Sequence, residues 1–314
     1  MRVFVQIPCY NEEKTLPLVL ESIPKHIDGI DLQILVVDDG SSDKTIAVAK
    51  KYGVKHFVKH KRNMGLARSF RDGVEYALVN GADILVNTDG DNQYPQEKIP
   101  ELIQPIVSGK AEIVVADRQT KQIEHFSPLK KLLQQFGSYI VNKAAGTELP
   151  DAASGFRAYS REALIRLNII TQFSYCMETI IQAGNKRLAI TSIPIKTNPK
   201  TRESRLFKNM WQHVFKSAGA IIRSYIMYRP YLVFATFGYT FLFIGLIPFV
   251  RYLILMMVHN HTSNHLQSLL LGTIFLIGAF FCLVLGVIAD LTHTSRILTE
   301  ESLEYIKRYN LKDK

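Results

Sequence analysis

Two long runs without a charge dominate the C-terminal third of the chain. Residues 230–250 read PYLVFATFGYTFLFIGLIPFV, and after Arg251 the chain continues YLILMMV to Val258. Residues 266–289 read LQSLLLGTIFLIGAFFCLVLGVIA. A helix that crosses a bilayer needs about 20 apolar residues, and both runs qualify. The competing reading is a pair of core helices in a large soluble domain, but runs of this length without a charge argue against it. Arg251 sits near one end of its run and can snorkel to an interface. The spacer HNHTSNH, residues 259–265, carries no Lys or Arg, whereas both outer flanks are basic. The positive-inside rule therefore predicts a two-helix hairpin with both termini in the cytoplasm, in the cell membrane. The three His of the spacer read as a polar turn rather than a metal site, and the Asn260-His261-Thr262 sequon is too short a pattern and too near the membrane to weigh.

The segment just before the hairpin is amphipathic. Phe207, Met210, Trp211, Val214, Ala218, Ile221, Ile222 and Tyr225 recur at helical spacing, with Lys208, Lys216 and Arg223 largely between them. That order, basic amphipathic stretch and then span, suits a helix lying in the headgroup layer. Removing these segments leaves a soluble domain of residues 1–204, a juxtamembrane helix over 205–229, spans over 230–258 and 266–289, and a cytoplasmic tail over 290–314.

The full chain has 314 residues and a formal net charge of +10. A basic excess calls for an anionic partner: nucleic acid, a membrane surface or a phosphorylated substrate. Three widely spaced cysteines, Cys9, Cys176 and Cys282, support neither a disulfide framework nor a zinc ribbon. The opening MRVFVQIP alternates like a strand and is too short for the apolar core of a signal peptide.

Within the soluble part, strands and helices alternate. Strands are predicted over residues 2–8, 32–38, 54–59, 82–88, 111–116 and 188–195. Helices are predicted over 12–27, 43–52, 65–80, 95–108, 129–145, 161–167 and 175–184. Such alternation implies an α/β fold, a Rossmann-like, mostly parallel sheet covered on both faces. In these sheets ligands bind beyond the carboxyl ends of the strands. Three polar clusters fall there: Pro8-Cys9-Tyr10-Asn11-Glu12, Asp38-Asp39-Gly40-Ser41-Ser42-Asp43 and Asp89-Gly90-Asp91-Asn92-Gln93. Any one of them alone would pass as a turn or helix cap.

Asp89, Asp91 and Gln93 are spaced to point one way in an extended segment. Two carboxylates and an amide oxygen are hard ligands, suited to Mg2+ or Mn2+ that also holds substrate phosphates. An Asp-rich turn capping the next helix is the other reading. A calcium loop fails, because its sixth and twelfth positions would be Tyr94 and Pro100. No GxGxxG, GxxxxGK[ST] or GxSxG pattern is present, which speaks against nicotinamide dehydrogenases, P-loop enzymes and serine hydrolases of the elbow type.

Taken in order and spacing, Pro8-x-Tyr10-Asn11-Glu12, Asp38-Asp39-Gly40-Ser41-x-Asp43, Asp89-Gly90-Asp91-x-Gln93 and Ser154-Gly155-Phe156-Arg157 resemble the motifs of inverting family 2 glycosyltransferases with the GT-A fold. The chain is most similar to the polyprenyl-phosphate branch, which includes dolichol-phosphate mannose synthase and bacterial counterparts. The resemblance covers residues 1 to about 230. It implies a UDP- or GDP-sugar donor held by Pro8, Tyr10, Asn11, Glu12, Asp38, Asp39 and Asp89, and a divalent metal at Asp89, Asp91 and Gln93. Arg118 matches a basic residue near the diphosphate. Asp151, Ser154 and Arg157 match the acceptor-side loop, and Arg202-Glu203-Ser204-Arg205 resembles a mobile Arg-x-Ser-Lys stretch at the phosphates, with Arg205 in place of Lys. Asp91, Arg118 and Arg202 are thus the implied catalytic residues. Glu178 also occupies a familiar position but receives no role.

The implied reaction moves one sugar to a polyprenyl monophosphate, undecaprenyl or dolichyl, at the cytoplasmic membrane face, with no part for nucleic acid. Asn92 and Tyr94 depart from the residues common in relatives and leave the sugar undefined. Two rival classes remain at this stage: a membrane glycosyltransferase acting on diacylglycerol or polysaccharide, and a non-catalytic membrane partner. The small intramembrane surface of two spans is compatible with a homo-oligomer.

Overall fold

The computed structural model describes residues 1–120, 128–170, 175–199, 219, 222, 226–259 and 266–312. The chain divides into two units, Met1–Ile222 with Glu304–Lys314, and Arg223–Leu303. Most of the expected juxtamembrane helix over 205–229 lies outside the described residues.

The first unit is organised by one seven-stranded sheet. Its strands are β1 (Arg2–Cys9), β2 (Asp31–Asp38), β3 (His56–Lys59), β4 (Ile84–Asn87), β5 (Ile113–Asp117), β6 (Arg157–Ser160) and β7 (Ile190–Pro194), in the order β3-β2-β1-β4-β6-β5-β7. The inner stretches Val3–Val5 of β1, Ile34–Val37 of β2 and Ile84–Val86 of β4 are apolar because both faces of the sheet are covered. Val3, Val5 and Ile7 pack in one core with helices α1 (Leu16–Ser22) and α4 (Ile99–Val107). The opposite face of β1 meets α3 (Leu66–Val79), where Gln6 donates to the Phe70 carbonyl at 3.2 Å. Helix α2 (Thr45–Lys51) joins β2 to β3.

Pairing is parallel except at β6, which runs antiparallel between β4 and β5. This strand was not expected from the sequence, which placed a loop between the helices over 129–145 and 161–167. Four residues beginning with an arginine show no readable alternation. The first helix is also shorter than the expected 12–27. Ile23 is extended and precedes Pro24, and the residue before a proline is pushed out of helical conformation.

Three further helices complete the unit: α5 (Pro128–Ala145), α6 (Arg161–Arg166) and α7 (Tyr175–Asn185). Helix α5 packs on α7. Their approach is so close that a Cβ on Gly184 would lie 2.0 Å from the Ala145 carbonyl oxygen.

The second unit holds the apolar helices α8 (Pro230–His259) and most of α9 (Leu266–Lys312). The most apolar stretches of their candidate spans, Pro230–Met257 and Gln267–Leu311, have mean hydropathies of 2.0 and 2.7. In the most apolar stretch of each, only 6% and 17% of residues are buried, so neither is a core helix. Small residues let the two backbones meet: a Cβ on Gly272 would sit 2.9 Å from the Gly245 carbonyl oxygen.

The segment expected as a tail, residues 290–314, is helical in its described part. Helix α9 runs on unbroken to Lys312, with Arg296–Glu300 and Glu304–Arg308 paired one turn apart and no Pro or Gly after Gly286. Its last turns belong to the first unit. There Lys307 Nζ donates to the carbonyls of Ile165 (3.2 Å) and Leu167 (3.0 Å) and to Asn168 Oδ1 (2.8 Å), satisfying the exposed end of α6.

A Gly184→Ala substitution should force α5 away from α7 and lower stability by about 1–3 kcal/mol, read as a drop in thermal melting of the detergent-solubilised protein.

Candidate active site

The carboxyl ends of β1, β2 and β4 are adjacent in the sheet, so the loops that follow them must share one edge. The first two loops are stitched together by hydrogen bonds. Asn11, at φ 57°, accepts from the Ser42 N–H at 2.8 Å, and its own N–H donates to Ser41 Oγ at 2.9 Å. The Glu12 N–H donates to Thr45 Oγ1 at 2.8 Å, and the Glu13 N–H to Asp43 Oδ2 at 3.1 Å. Glu12 is buried, and its carboxylate accepts from Thr15 Oγ1 at 2.6 Å.

The third cluster closes against the first. A Cβ on Gly90 would lie 3.3 Å from Cys9 Sγ, from Glu12 Cγ and from the Pro8 carbonyl oxygen. The Cys9 thiol registers this crowding: burial pushes its pKa well up, and Glu12, Asp38, Asp43 and Asp89 push it further.

Asp39 turns towards the loop before α3. It accepts from the backbone N–H groups of Met64 (2.7 Å) and Gly65 (2.9 Å) and lies 2.7 Å from His60 Nδ1. His60 in turn bridges to Asp72 at 3.2 Å. A cavity of about 440 Å³ opens beside this loop, edged by Arg62, Arg68, Arg71 and Ile170. Gly40 permits the loop's approach, since its φ is +77° and a Cβ there would meet the Arg62 backbone at 2.6 Å.

Asp89 is bounded on its other side by Gly155. A Cβ on Gly155 would come within 3.3 Å of Asp89 Oδ2. Three side chains hold that glycine in place. The Gly155 N–H donates to the Tyr94 hydroxyl at 2.9 Å, while its carbonyl accepts from Asn87 Nδ2 at 3.1 Å and from the Tyr175 hydroxyl at 3.3 Å. Burial raises the pKa of the Tyr94 and Tyr175 hydroxyls, so both remain neutral donors or acceptors. Asn87 and Tyr175 were missed from sequence, and Tyr94 was noted only as a departure. The legible signal was Asn87 itself, a polar residue in an otherwise apolar strand.

Arg118 and Asp151 form a two-pronged pair, Nε to Oδ2 at 2.6 Å and Nη2 to Oδ1 at 2.9 Å. Burial alone would raise the Asp151 pKa, but the Arg118 charge and hydrogen bonds hold it below the usual carboxylate value. The fork takes two of the five N–H donors of a guanidinium.

Arg157 has a different surrounding from the one its motif implied. It is fully buried and donates to the carbonyls of Ser154 (2.6 Å), Cys176 (2.7 Å) and Ala152 (2.9 Å) and to Thr179 Oγ1 (2.9 Å). Fully buried, with these four contacts it fastens the 152–154 loop to the start of α7. Ser154 is equally buried, and among the described residues its hydroxyl has no hydrogen-bond partner. Glu178 is buried and accepts from the Ile170 N–H at 3.1 Å. Arg202, Ser204 and Arg205 lie outside the described residues. The chain leading to them is tied down by Asn198, whose N–H donates to the Gln93 carbonyl at 2.9 Å and whose Nδ2 donates to that of Asn92 at 3.1 Å.

Among the described residues no group of three or more His, Cys, Asp or Glu side chains is gathered to enclose a metal. Asp89 and Asp91 are half-buried at the shared edge, and the Gln93 N–H donates to Asp91 Oδ1 at 3.1 Å. Two carboxylates with neighbouring oxygen donors fit a hard cation that keeps water and takes phosphate oxygens, rather than a closed protein cage.

An Arg157→Leu substitution should strand three buried carbonyls and lower stability by roughly 3 kcal/mol or more, with Arg157→Lys recovering only part of it; chemical denaturation reads both.

The likeness to known proteins runs through this same region. Residues 4–167 match the model of the glycosyl transferase family 2. A UDP-N-acetylglucosamine–dolichyl-phosphate N-acetylglucosaminyltransferase of Methanococcus voltae is 32% identical over 217 residues, 62% of this chain and 85% of the relative. An undecaprenyl-phosphate mannosyltransferase of Micrococcus luteus is 29% identical over 62% of this chain and 83% of its own. Among solved structures, glucosyl-3-phosphoglycerate synthase from Mycobacterium tuberculosis, crystallised with Mn2+, UDP and phosphoglyceric acid, superposes with a TM-score of 0.57 at 20% identity, covering 72% of this chain and 77% of that one. The fold is therefore shared with that synthase, and by the matched span, more than half its length, the chain belongs to glycosyl transferase family 2.

Proposed function

We propose that this glycosyltransferase moves one sugar from a UDP- or GDP-sugar to a polyprenyl monophosphate at the cytoplasmic face of the cell membrane, with inversion at the anomeric carbon. The carrying observation is the packing of Pro8–Glu12, Asp38–Asp43, Asp89–Gln93 and Gly155 into one sheet edge, in a chain with two helices long and apolar enough to span a bilayer. Relatives named for dolichyl- and undecaprenyl-phosphate transfer support the choice of acceptor.

Pro8, Tyr10, Asn11, Glu12, Asp38 and Asp39 form the donor side. Three contacts use part of the acceptor capacity of Asp39, about four lone-pair sites on two oxygens, so the carboxylate can also receive a nucleobase N–H. Asp89 and Asp91, with Gln93, would hold Mg2+ or Mn2+, which when bound supplies Lewis-acid stabilisation of the leaving diphosphate. Arg118, aimed by Asp151, has N–H donors left for phosphate oxygens. On the acceptor side the Asp151–Ser154 loop is kept in place by Arg157, and Arg202, Ser204 and Arg205 meet the incoming lipid phosphate.

The nucleophile is a phosphate oxygen of the acceptor. A monoester with a second pKa of about 6 is largely dianionic at neutral pH, so attack requires no strong general base. This agrees with Asp151, whose carboxylate is committed to Arg118. The new bond forms between that oxygen and the anomeric carbon as the bond to the nucleoside diphosphate breaks on the opposite face. Tethering to the bilayer raises the effective concentration of a lipid acceptor.

Purified full-length protein with Mg2+, labelled nucleotide sugars and undecaprenyl or dolichyl phosphate should yield label extractable into organic solvent. Absence of labelled lipid with every common donor would overturn the acceptor. Asp91→Asn should cut turnover by about 100-fold or more at an unchanged melting temperature. Gly155→Ala, pressing on Asp89, should raise the half-saturating Mg2+ concentration by roughly 10-fold, as read from rate against metal titrations.

A further inference from the structure

Asp39 offers a ligand very little of itself. Its side chain is only 7% exposed, and its backbone N–H is tied to the Cys9 carbonyl at 2.9 Å. The carboxylate accepts from two successive N–H groups of the chain, Met64 on Oδ1 at 2.7 Å and Gly65 on Oδ2 at 2.9 Å. That pair closes the edge between the two oxygens. His60 Nδ1 lies 2.7 Å from Oδ1, and since a carboxylate only accepts, the ring N–H is the donor. The His60 ring is fixed from its other side as well. It is 9% exposed, its Nε2 lies 3.2 Å from Asp72 Oδ2, and Asp72 is held in turn by Arg68 Nε at 2.7 Å.

A carboxylate has about four acceptor positions, two to each oxygen. Met64 and His60 fill both on Oδ1, and Gly65 fills one on Oδ2. Among the described residues a single position is left, on the outer side of Oδ2. Nucleobases differ in what they bring to such a position. Uracil and thymine carry one ring N–H flanked by two carbonyl oxygens. Guanine carries a ring N–H and an amino N–H side by side, a fork that takes both oxygens of a carboxylate across the edge between them. Here that edge already belongs to Met64 and Gly65. A guanine at the outer side of Oδ2 leaves its second N–H without an acceptor, and a stranded donor at so buried a group is costly. Cytosine has a bare nitrogen where uracil has its ring N–H, so in the same pose its lone pair opposes the carboxylate.

We infer that the donor of this chain is a nucleoside diphosphate sugar with an imide base, uracil or thymine, and not guanine. Asp39 is the selecting group, and Met64, Gly65 and His60 narrow it to one acceptor. The inference rests on the reading of Asp39 as a donor-side residue and says nothing of the sugar or the acceptor. His60 acts only through Asp39 and is a positioning residue.

Titration calorimetry of the full-length, detergent-solubilised protein in Mg2+ with UDP, dTDP, GDP and CDP decides the matter. The better of UDP and dTDP should bind at least about tenfold tighter than both GDP and CDP, the effect of one stranded donor or one opposed lone pair. A smaller margin over either of them overturns the inference while leaving the donor reading in place. If none of the four binds at concentrations up to about 1 mM, the donor reading falls and this inference with it. Asp39→Asn ties the selection to its residue, because an amide can turn its own N–H towards the cytosine nitrogen. In that variant, at an unchanged melting temperature, the margin over CDP should shrink to about threefold or less. A margin that stays above this assigns the selection to another residue and overturns the inference. Where the variant fails to fold or binds no nucleotide, the four affinities of the native protein decide alone.

Discussion

Four carboxylates, Glu12, Asp38, Asp43 and Asp89, bear on the buried Cys9 thiol from three different loops. Holding that much like charge at one edge of a sheet is the constraint around which the site is built. Repulsion of this kind would splay the loops unless each oxygen found a donor. The donors are local. Asp38 accepts from the Ser41 N–H, Asp43 from the Thr45 N–H, and Glu12 from the Thr15 hydroxyl. None of these three donors is a cation, so they fix the geometry of the edge without themselves adding positive charge. A negative, pre-shaped edge is where a divalent ion and the diphosphate it carries gain most.

The arginines divide the remaining work. Arg157 is wholly committed to carbonyls and one hydroxyl, and acts through the loop it holds. Arg118 is committed on one side to Asp151 and still has donors on the other. The same residue type thus serves as an internal strut in one place and as an oriented cation in the other. The difference lies in burial and partner, neither of which a motif displays. Both arginines were legible as members of a family pattern, yet the pattern assigned them alike to the substrates.

The alternating elements and the three polar clusters were readable because each depends on local signals: apolar runs for doubly covered strands, and turn residues at their ends. Strand β6 was not readable, because its place between β4 and β5 comes from pairing with distant segments and not from any pattern in Arg157–Ser160. The clamp of Asn87, Tyr94 and Tyr175 on Gly155 escaped notice for the same reason, since its members lie far apart in sequence. Within helices, apolar length foretold α8 and the beginning of α9. The continuation of α9 past residue 289 was hidden because a polar helix and a polar tail look alike until Lys307 and Arg308 find partners.

Those partners give the far end of α9 a bearing on the site. Lys307 binds Asn168, and Asn168 exchanges hydrogen bonds with Gln182 on α7. Gln182 also contacts Glu178, which holds the Ile170 N–H. Helix α7 begins at Tyr175, whose hydroxyl helps to fix Gly155 against Asp89. Every link is a buried or half-buried hydrogen bond, and α7 is the rigid member between them. Buried polar networks define one arrangement as far as their members are satisfied; here the links named are made, while Asn168 Nδ2 has no hydrogen-bond partner among the described residues. The position of Asp89 is thus supported on one side by the loops of the sheet edge and on the other by a network that ends in the last turns of the chain. Precision at the proposed cation site requires support of that extent, because its proposed ligands, Asp89 and Asp91 with Gln93, sit on a loop and a loop alone does not hold them.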